Sequence, residues 1–156
     1  MPGSSLWLLP PETHPLNERL TSLIKRTASH FGSSDLFIPH VTLTSDLVEP
    51  SSYGSEPQKW LESLELPAGA GVTVEFERLE SEDVYFRKLY IKCQKKPGLK
   101  ALATVCRKQV ADHEDEETVR RWAEETEGLS WTGGRVVLVA TEKPTSEWKP
   151  IAQRVL

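Results

Sequence analysis

Cysteine is scarce in this sequence, which has two, Cys93 and Cys106, among 156 residues. They do not form a Cys-x-x-Cys pair and no paired histidines accompany them. The spacing therefore predicts neither a disulfide framework nor a zinc site, and two reduced, mostly buried thiols are expected. No metal site and no cofactor is predicted from any other pattern in the chain.

Long apolar runs are also absent. The longest, such as residues 136–140, have the length of a strand and not of a membrane span. The N-terminus lacks the basic flank and the long apolar stretch of a secretory signal. A soluble, intracellular protein with no membrane span is therefore expected.

Basic residues are not in excess either: the net charge is −4. This charge argues against a groove for a nucleic acid polymer but allows a small anionic substrate, since a few local donors suffice for one phosphate. Hydrophobic residues make up 38% and charged residues 27%. These values are typical of a globular protein, and the length predicts one domain spanning residues 1–156.

The apolar pattern predicts a mixed α+β fold. Apolar residues at helical spacing predict helices over 15–31, 57–64 and 97–110, and the charged stretch 112–127 is expected to continue as helix. Shorter alternating or continuous apolar runs predict strands at 5–9, 37–43, 72–76, 89–93, 136–140 and 148–156. The strands at 72–76 and 89–93 are expected to pair as a hairpin across an acidic turn at 80–83.

One segment has residues suited to catalysis. On a strand, His40, Thr42 and Thr44 share one face, while Val41 and Leu43 share the other. Residues two apart on a strand are about 6.5 Å apart, so His40 and Thr42 can contact the same phosphate ester. A histidine can give or take a proton near neutral pH, and a threonine hydroxyl can bind the anion. The same pattern also occurs on ordinary polar strand faces.

Stretches outside this motif also resemble a known family, which makes a catalytic role of the motif more specific. The sequence resembles the fungal 2',3'-cyclic-nucleotide 3'-phosphodiesterases of the two-histidine phosphoesterase superfamily. The resemblance is carried by residues 6–11 (LWLLPP), 37–47 (FIPHVTLTSDL), 85–89 (YFRKL) and the tail from 131 (WTGGRVVLVATEKP).

The resemblance implies a two-lobed α+β fold with antiparallel sheets, outer helices and one His-x-Thr/Ser strand in each lobe. It implies metal-free hydrolysis of nucleoside 2',3'-cyclic phosphates to nucleoside 2'-phosphates, including ADP-ribose 1'',2''-cyclic phosphate from tRNA splicing. His40 then transfers a proton and Thr42 binds the phosphate. Because the product is a 2'-phosphate, His40 is expected to be the acid that protonates the departing 3'-oxygen. A monomer located in the cytoplasm or at the Golgi is the corresponding expectation.

The second motif of that family, PH-x-S-x-x-Y, does not occur in this sequence. After Thr42 the one remaining histidine is His113, which acidic residues surround, while His14 and His30 are predicted at helix ends. We therefore predict an internal deletion near residues 126–130 and an incomplete second lobe. Two alternatives to a working enzyme stay open: an impaired or inactive paralogue that binds cyclic phosphates, and the product of a faulty gene prediction.

Aromatic and basic side chains raise two further alternatives. Trp7, Tyr85 and Phe86 can stack on a nucleobase, but aromatic residues in strands more often belong to the core. Arg87 and Lys88 can supply positive potential for an anionic substrate, but a solvated strand surface explains them equally well.

Overall fold

The computed structural model describes residues 3–80, 90–110 and 127–156. Seven strands and four helices lie within these ranges. The strands are β1 (Ser4–Leu9), β2 (Val41–Val48), β3 (Thr73–Glu80), β4 (Tyr90–Cys93), β5 (Glu127–Thr132), β6 (Arg135–Val139) and β7 (Pro150–Val155). The helices are α1 (Leu16–Phe31), α2 (Pro50–Tyr53), α3 (Pro57–Ser63) and α4 (Pro97–Val110).

The strands form two sheets. The first has four strands in the order β2-β1-β6-β7, and the second has three in the order β4-β3-β5. Every pairing in both sheets is antiparallel. The predicted α+β class with antiparallel sheets is therefore confirmed, as is the pairing of the two strands predicted as a hairpin.

Helix α1 illustrates how local sequence sets the elements. It begins at Leu16, directly after Pro15, and buries Leu16 and Leu20. It ends at Gly32, whose φ of 65° lies in the left-handed region and whose N–H points to the carbonyls of the last turn. A glycine in this conformation is a common helix terminator, so the predicted stop is confirmed.

Two strands differ from the prediction. Strand β2 begins at Val41 and not at residue 37, and residues 33–40 form no regular structure. Pro39 lacks the N–H that strand pairing requires, and Phe37 is 43% exposed, so this apolar stretch stays outside the sheet. Strand β5 was not predicted. The helix predicted at 112–127 lies outside the described residues except for its last position, Glu127, which begins β5 and is therefore not helical. Residues 81–83 of the predicted hairpin turn also lie outside the described residues.

Two apolar clusters lie on opposite faces of the four-stranded sheet. The larger cluster takes Leu6 and Leu8 from β1 and joins both sheets to α1, α3 and α4. The smaller cluster consists of Trp7, Leu9, Val137 and Val139, with Ile38 and Trp148 packed against it. Since alternate residues of β1 enter different clusters, the whole strand is buried. The smaller cluster is the surface on which the candidate site is built.

Gly134 allows β6 to approach β1 closely. Its φ is 122°, and a Cβ at this position would lie 2.2 Å from the carbonyl oxygen of Leu9. A larger residue is therefore excluded where β6 begins to pair with β1.

Helix α3 covers part of the edge strand β7. The Gln58 side-chain amide donates to the Gln153 carbonyl (2.8 Å) and accepts from the Gln153 N–H (3.0 Å). The side chain thus occupies backbone groups that an exposed sheet edge would otherwise offer to another chain. Among the described helices, none is long and apolar enough to cross a membrane.

Candidate active site

His40 lies directly before β2, and its ring stacks on the indole of Trp7. The two ring centroids are 3.7 Å apart and the planes differ by 7°. Trp7 pairs with Thr42 across β1 and β2, and directly opposed residues of an antiparallel pair share a face. The structure therefore brings His40 and Thr42 to the same face, as the sequence predicts, although His40 is not itself on the strand.

A backbone hydrogen bond fixes the state of the His40 ring. Nδ1 is 2.6 Å from the carbonyl oxygen of Ile38. A carbonyl can only accept, so Nδ1 carries the proton and Nε2 of the neutral ring keeps its lone pair. Burial lowers the pKa of His40 to about 4, against a smaller upward effect of the Ile38 hydrogen bond. The ring is therefore neutral at pH 7, with Nε2 able to accept a proton.

Further aromatic side chains surround this pair. Phe37 approaches the His40 ring edge-on, with centroids 5.8 Å apart. Trp148 meets Trp7 edge-on with centroids 5.9 Å apart, and its Nε1–H donates to the Lys143 carbonyl at 2.7 Å. The imidazole thus has one face on an indole and a second ring at its edge, which explains its desolvation.

The two threonines of the motif have different environments. Thr44 is fully buried, and its Oγ1 accepts a hydrogen bond from the Leu6 N–H at 2.9 Å. The strand register shifts between Leu6 and Trp7, so Thr44 does not continue the face of Thr42 as simple alternation predicts. Thr42 is partly buried, and within the described ranges its hydroxyl has no hydrogen-bond partner. Thr42 is therefore the threonine available to a ligand.

The other two described histidines, His14 and His30, lie at the ends of α1 and have their own contacts there. His14 lies at the start of α1, where Nδ1 accepts from the Leu16 N–H at 3.2 Å. His30 lies at the exposed end of α1 against Phe31, at 4.8 Å. Both positions agree with the predicted helix ends, and His113 lies outside the described residues. Within the part of the chain that the structure describes, the site therefore has one histidine.

Among the described residues, no charged cluster and no cavity belongs to the site. Arg87 and Lys88 lie outside the described residues, while Lys96 pairs with Glu75 at 3.0 Å. No group of three or more potential metal ligands occurs among the residues described. A depression of about 420 Å³ lies beside Gly69, residues 132–135 and the C-terminus, but neither His40 nor Thr42 lines it.

Sequence reasoning missed the stack of the His40 ring on Trp7. Its side chain is 3% exposed and its face is covered by His40, so the core interpretation holds for this residue. Tyr85 and Phe86, the other aromatic candidates, lie outside the described residues. The signal for the stack was the pairing of β1 with β2, which places residue 7 opposite residue 42. That pairing depends on the fold and cannot be read from either segment alone.

The comparisons with known proteins agree with the geometry. The family model described as "Cyclic phosphodiesterase-like protein" matches residues 1–128. The chain is 44% identical to a 2',3'-cyclic-nucleotide 3'-phosphodiesterase of Phaeosphaeria nodorum over an alignment of 194 positions, which covers both proteins completely. A protein of the same name from Neurospora crassa is 32% identical over 213 positions, again with complete coverage of both. The chain therefore belongs to the family of cyclic phosphodiesterase-like proteins.

Proposed function

We propose that this protein acts on nucleoside 2',3'-cyclic phosphates and yields nucleoside 2'-phosphates, with His40 and Thr42 at the phosphate. Two relatives that match the whole chain carry the name 2',3'-cyclic-nucleotide 3'-phosphodiesterase. The observation that carries the proposal is a neutral imidazole with a free Nε2 on the same sheet face as the Thr42 hydroxyl.

The state of the ring favours a base over an acid. At pH 7 the Nε2 lone pair can take a proton from a water molecule, which then attacks phosphorus as the bond to the 3'-oxygen breaks. Thr42 donates its hydroxyl to a non-bridging oxygen. Imidazolium at this site costs about 4 kcal/mol at pH 7 for a pKa of about 4, whichever role His40 takes, and a phosphate anion beside the ring lowers this cost. Because the resting ring is neutral with Nε2 unprotonated, we assign the base role to His40, against the acid role that the sequence favoured.

The leaving 3'-oxygen still needs a proton. His40 holds its one proton on Nδ1 against the Ile38 carbonyl, and no second histidine reaches the site within the described residues. Loss of one proton-transfer group typically lowers a rate by about 100- to 10,000-fold. This single-histidine site favours a second candidate function, a protein that binds cyclic phosphates and cleaves them slowly or not at all.

Turnover and binding assays distinguish these candidates. The intact chain is incubated with 2',3'-cyclic AMP, the product isomer is identified by chromatography, and binding is measured by calorimetry. His40→Asn should abolish residual turnover, because the amide can donate to the Ile38 carbonyl but cannot act as a base. His30→Asn, at the exposed end of α1, should have no effect. Turnover that survives His40→Asn would contradict the assignment, while saturable binding without product would establish the binding function.

The missing segment can be tested at the level of the transcript. The family match ends at residue 128, and both full-length alignments are longer than the chain. Both facts support the internal deletion proposed near 126–130. Sequencing the transcript across the codons for Trp122 to Trp131 should reveal whether an in-frame segment with a PH-x-S motif has been omitted. A transcript identical to the present sequence would make the loss of the second motif real.

Three finer proposals rest on the family resemblance. The first is that ADP-ribose 1'',2''-cyclic phosphate from tRNA splicing is a substrate. The second is that the protein acts as a monomer on small nucleotides and not on polymers, and the third is a cytoplasmic or Golgi location. Competition of that compound with 2',3'-cyclic AMP tests the substrate. Light scattering tests the oligomeric state, and a fluorescent fusion tests the location.

A further inference from the structure

We propose that Trp7 is a positioning residue for His40, whose indole fixes the imidazole so that Nδ1 meets the Ile38 carbonyl and Nε2 faces the substrate. The inference deepens the proposed function and rests on it for its catalytic meaning. It stands on the geometry of one contact, the parallel stack of the two rings at 3.7 Å.

The segment that carries His40 meets the smaller cluster through two side chains, Ile38 and the His40 ring on Trp7. Residues 33–40 form no regular structure, and the hydrogen bond from His40 to Ile38 lies within this segment. That bond orients the ring relative to residue 38, and the chain continues from His40 directly into β2, which places the backbone of His40 but not its ring. The Trp7 stack holds the ring itself beside Thr42, because Trp7 pairs with Thr42 across the two strands.

Trp7 is itself held firmly. It lies on β1, which pairs with β2 on one side and β6 on the other, and its side chain is 3% exposed. Trp148 supports it edge-on at 5.9 Å and is fixed in turn by its hydrogen bond to the Lys143 carbonyl. A series of contacts thus runs from the 140–148 loop through two indoles to the candidate catalytic ring.

The stack also controls the proton on the ring. A flat indole covers one face of the imidazole and excludes water from it, which disfavours the charged form. Rotation of the ring away from this face would release Nδ1 from Ile38 and allow either nitrogen to carry the proton. Loss of the indole is therefore expected to raise the His40 pKa and to mix the two tautomers.

Nuclear magnetic resonance of the free protein tests this without any turnover. Histidine ring nitrogen shifts report the tautomer, and a pH titration of the ring protons reports the pKa. In the wild type we expect a single Nδ1–H tautomer, ring protons shifted upfield by the indole, and a pKa near 4. Trp7→Leu should give mixed tautomers and a pKa moved towards 6.5, while Trp7→Phe, which keeps a flat ring, should remain close to the wild type.

Trp60→Leu is the matched control, because Trp60 packs against the larger cluster on the other face of the four-stranded sheet. It should leave the His40 signals unchanged. An unchanged tautomer and pKa in Trp7→Leu would overturn the inference and leave Trp7 as ordinary core. If Trp7→Leu does not fold, the spectrum of the wild type still tests the inference. His40 ring protons without an upfield shift would show that the ring does not stack on Trp7 and would overturn the positioning role. A wild type without turnover whose His40 signals respond to Trp7→Leu would overturn the proposed function and not the positioning role.

Discussion

Acidification should destabilise this protein through His40. The pKa of His40 is lowered from an ordinary value of 6.5 to about 4 in the folded chain, chiefly by burial. Between these pH values the unfolded chain binds a proton that the folded chain does not, so the free energy of unfolding falls as the pH falls. The contribution is fully present above pH 6.5 and is lost progressively down to about pH 4, below which both states are protonated.

The size of this effect follows from the two pKa values. A difference of one pKa unit corresponds to about 1.4 kcal/mol, so the shift from 6.5 to about 4 allows a loss of at most about 3.5 kcal/mol. His40 is only partly buried as a residue, and residual solvent contact keeps the measured loss below this limit. Since small domains are stable by about 5–15 kcal/mol, a loss of this size is readily measured.

Urea unfolding followed by tryptophan fluorescence, repeated from about pH 7 to about pH 4, measures the loss. Many carboxylates titrate in the same range, so the quantity of interest is the difference between the wild type and His40→Asn. The variant keeps an amide donor for the Ile38 carbonyl and removes the titrating group, so its stability should fall less steeply with acid. His30→Asn serves as the control, because water reaches that exposed ring in both states. Parallel pH curves for the wild type and His40→Asn would refute the conclusion that His40 is held neutral.

Three further predictions follow, one on the site and two on backbone contacts elsewhere in the fold. Free imidazole added to the protein should raise turnover of 2',3'-cyclic AMP in proportion to its concentration, because it can supply the acid that the described part of the site lacks. A rate independent of imidazole contradicts this. Gly98→Ala should lower the free energy of unfolding by about 1–3 kcal/mol or more in urea melts, since its Cβ would lie 1.6 Å from the Gly71 carbonyl oxygen. Gly71→Ala, whose Cβ meets open space, is the matched control. Arg154→Met should cost about 1–2 kcal/mol in the same assay, because Nη1 donates to carbonyls at the end of α3, and equal stability would contradict this.

The spacing of apolar residues predicted those strands and helices whose buried residues follow one regular pattern along the element. Strand β6 is a continuous apolar run and helix α1 has its buried residues at helical spacing. The predicted start of β2 at residue 37 was wrong. Phe37 and Ile38 have strand-forming side chains, but strand pairing also requires backbone N–H donors, and Pro39 has none. Strand β5 was missed because it is defined by its pairing with β3, in which Trp131 opposes Val74.

The sequence predicted that His40 and Thr42 share a face, but not the stacking or the protonation of the His40 ring. Alternation on a strand placed His40 and Thr42 on one face, and the structure keeps this arrangement. It failed for Thr44, because a register shift between β1 and β2 turns that hydroxyl to the Leu6 N–H. The stack on Trp7 and the lowered pKa depend on contacts between segments distant in sequence, so neither follows from the motif.

The proposed base role of His40 has a consequence for the group that protonates the leaving oxygen. A histidine in equally desolvated surroundings would also be neutral at pH 7, so imidazolium from solution is the form expected to replace that acid. Rescue by imidazole should therefore follow the imidazolium form, so the rescued rate per unit of added imidazole should be greater below neutral pH than above it, as long as His40 stays deprotonated. Rescue that instead followed neutral imidazole would show that the site lacks a base, and it would reverse the role assigned to His40.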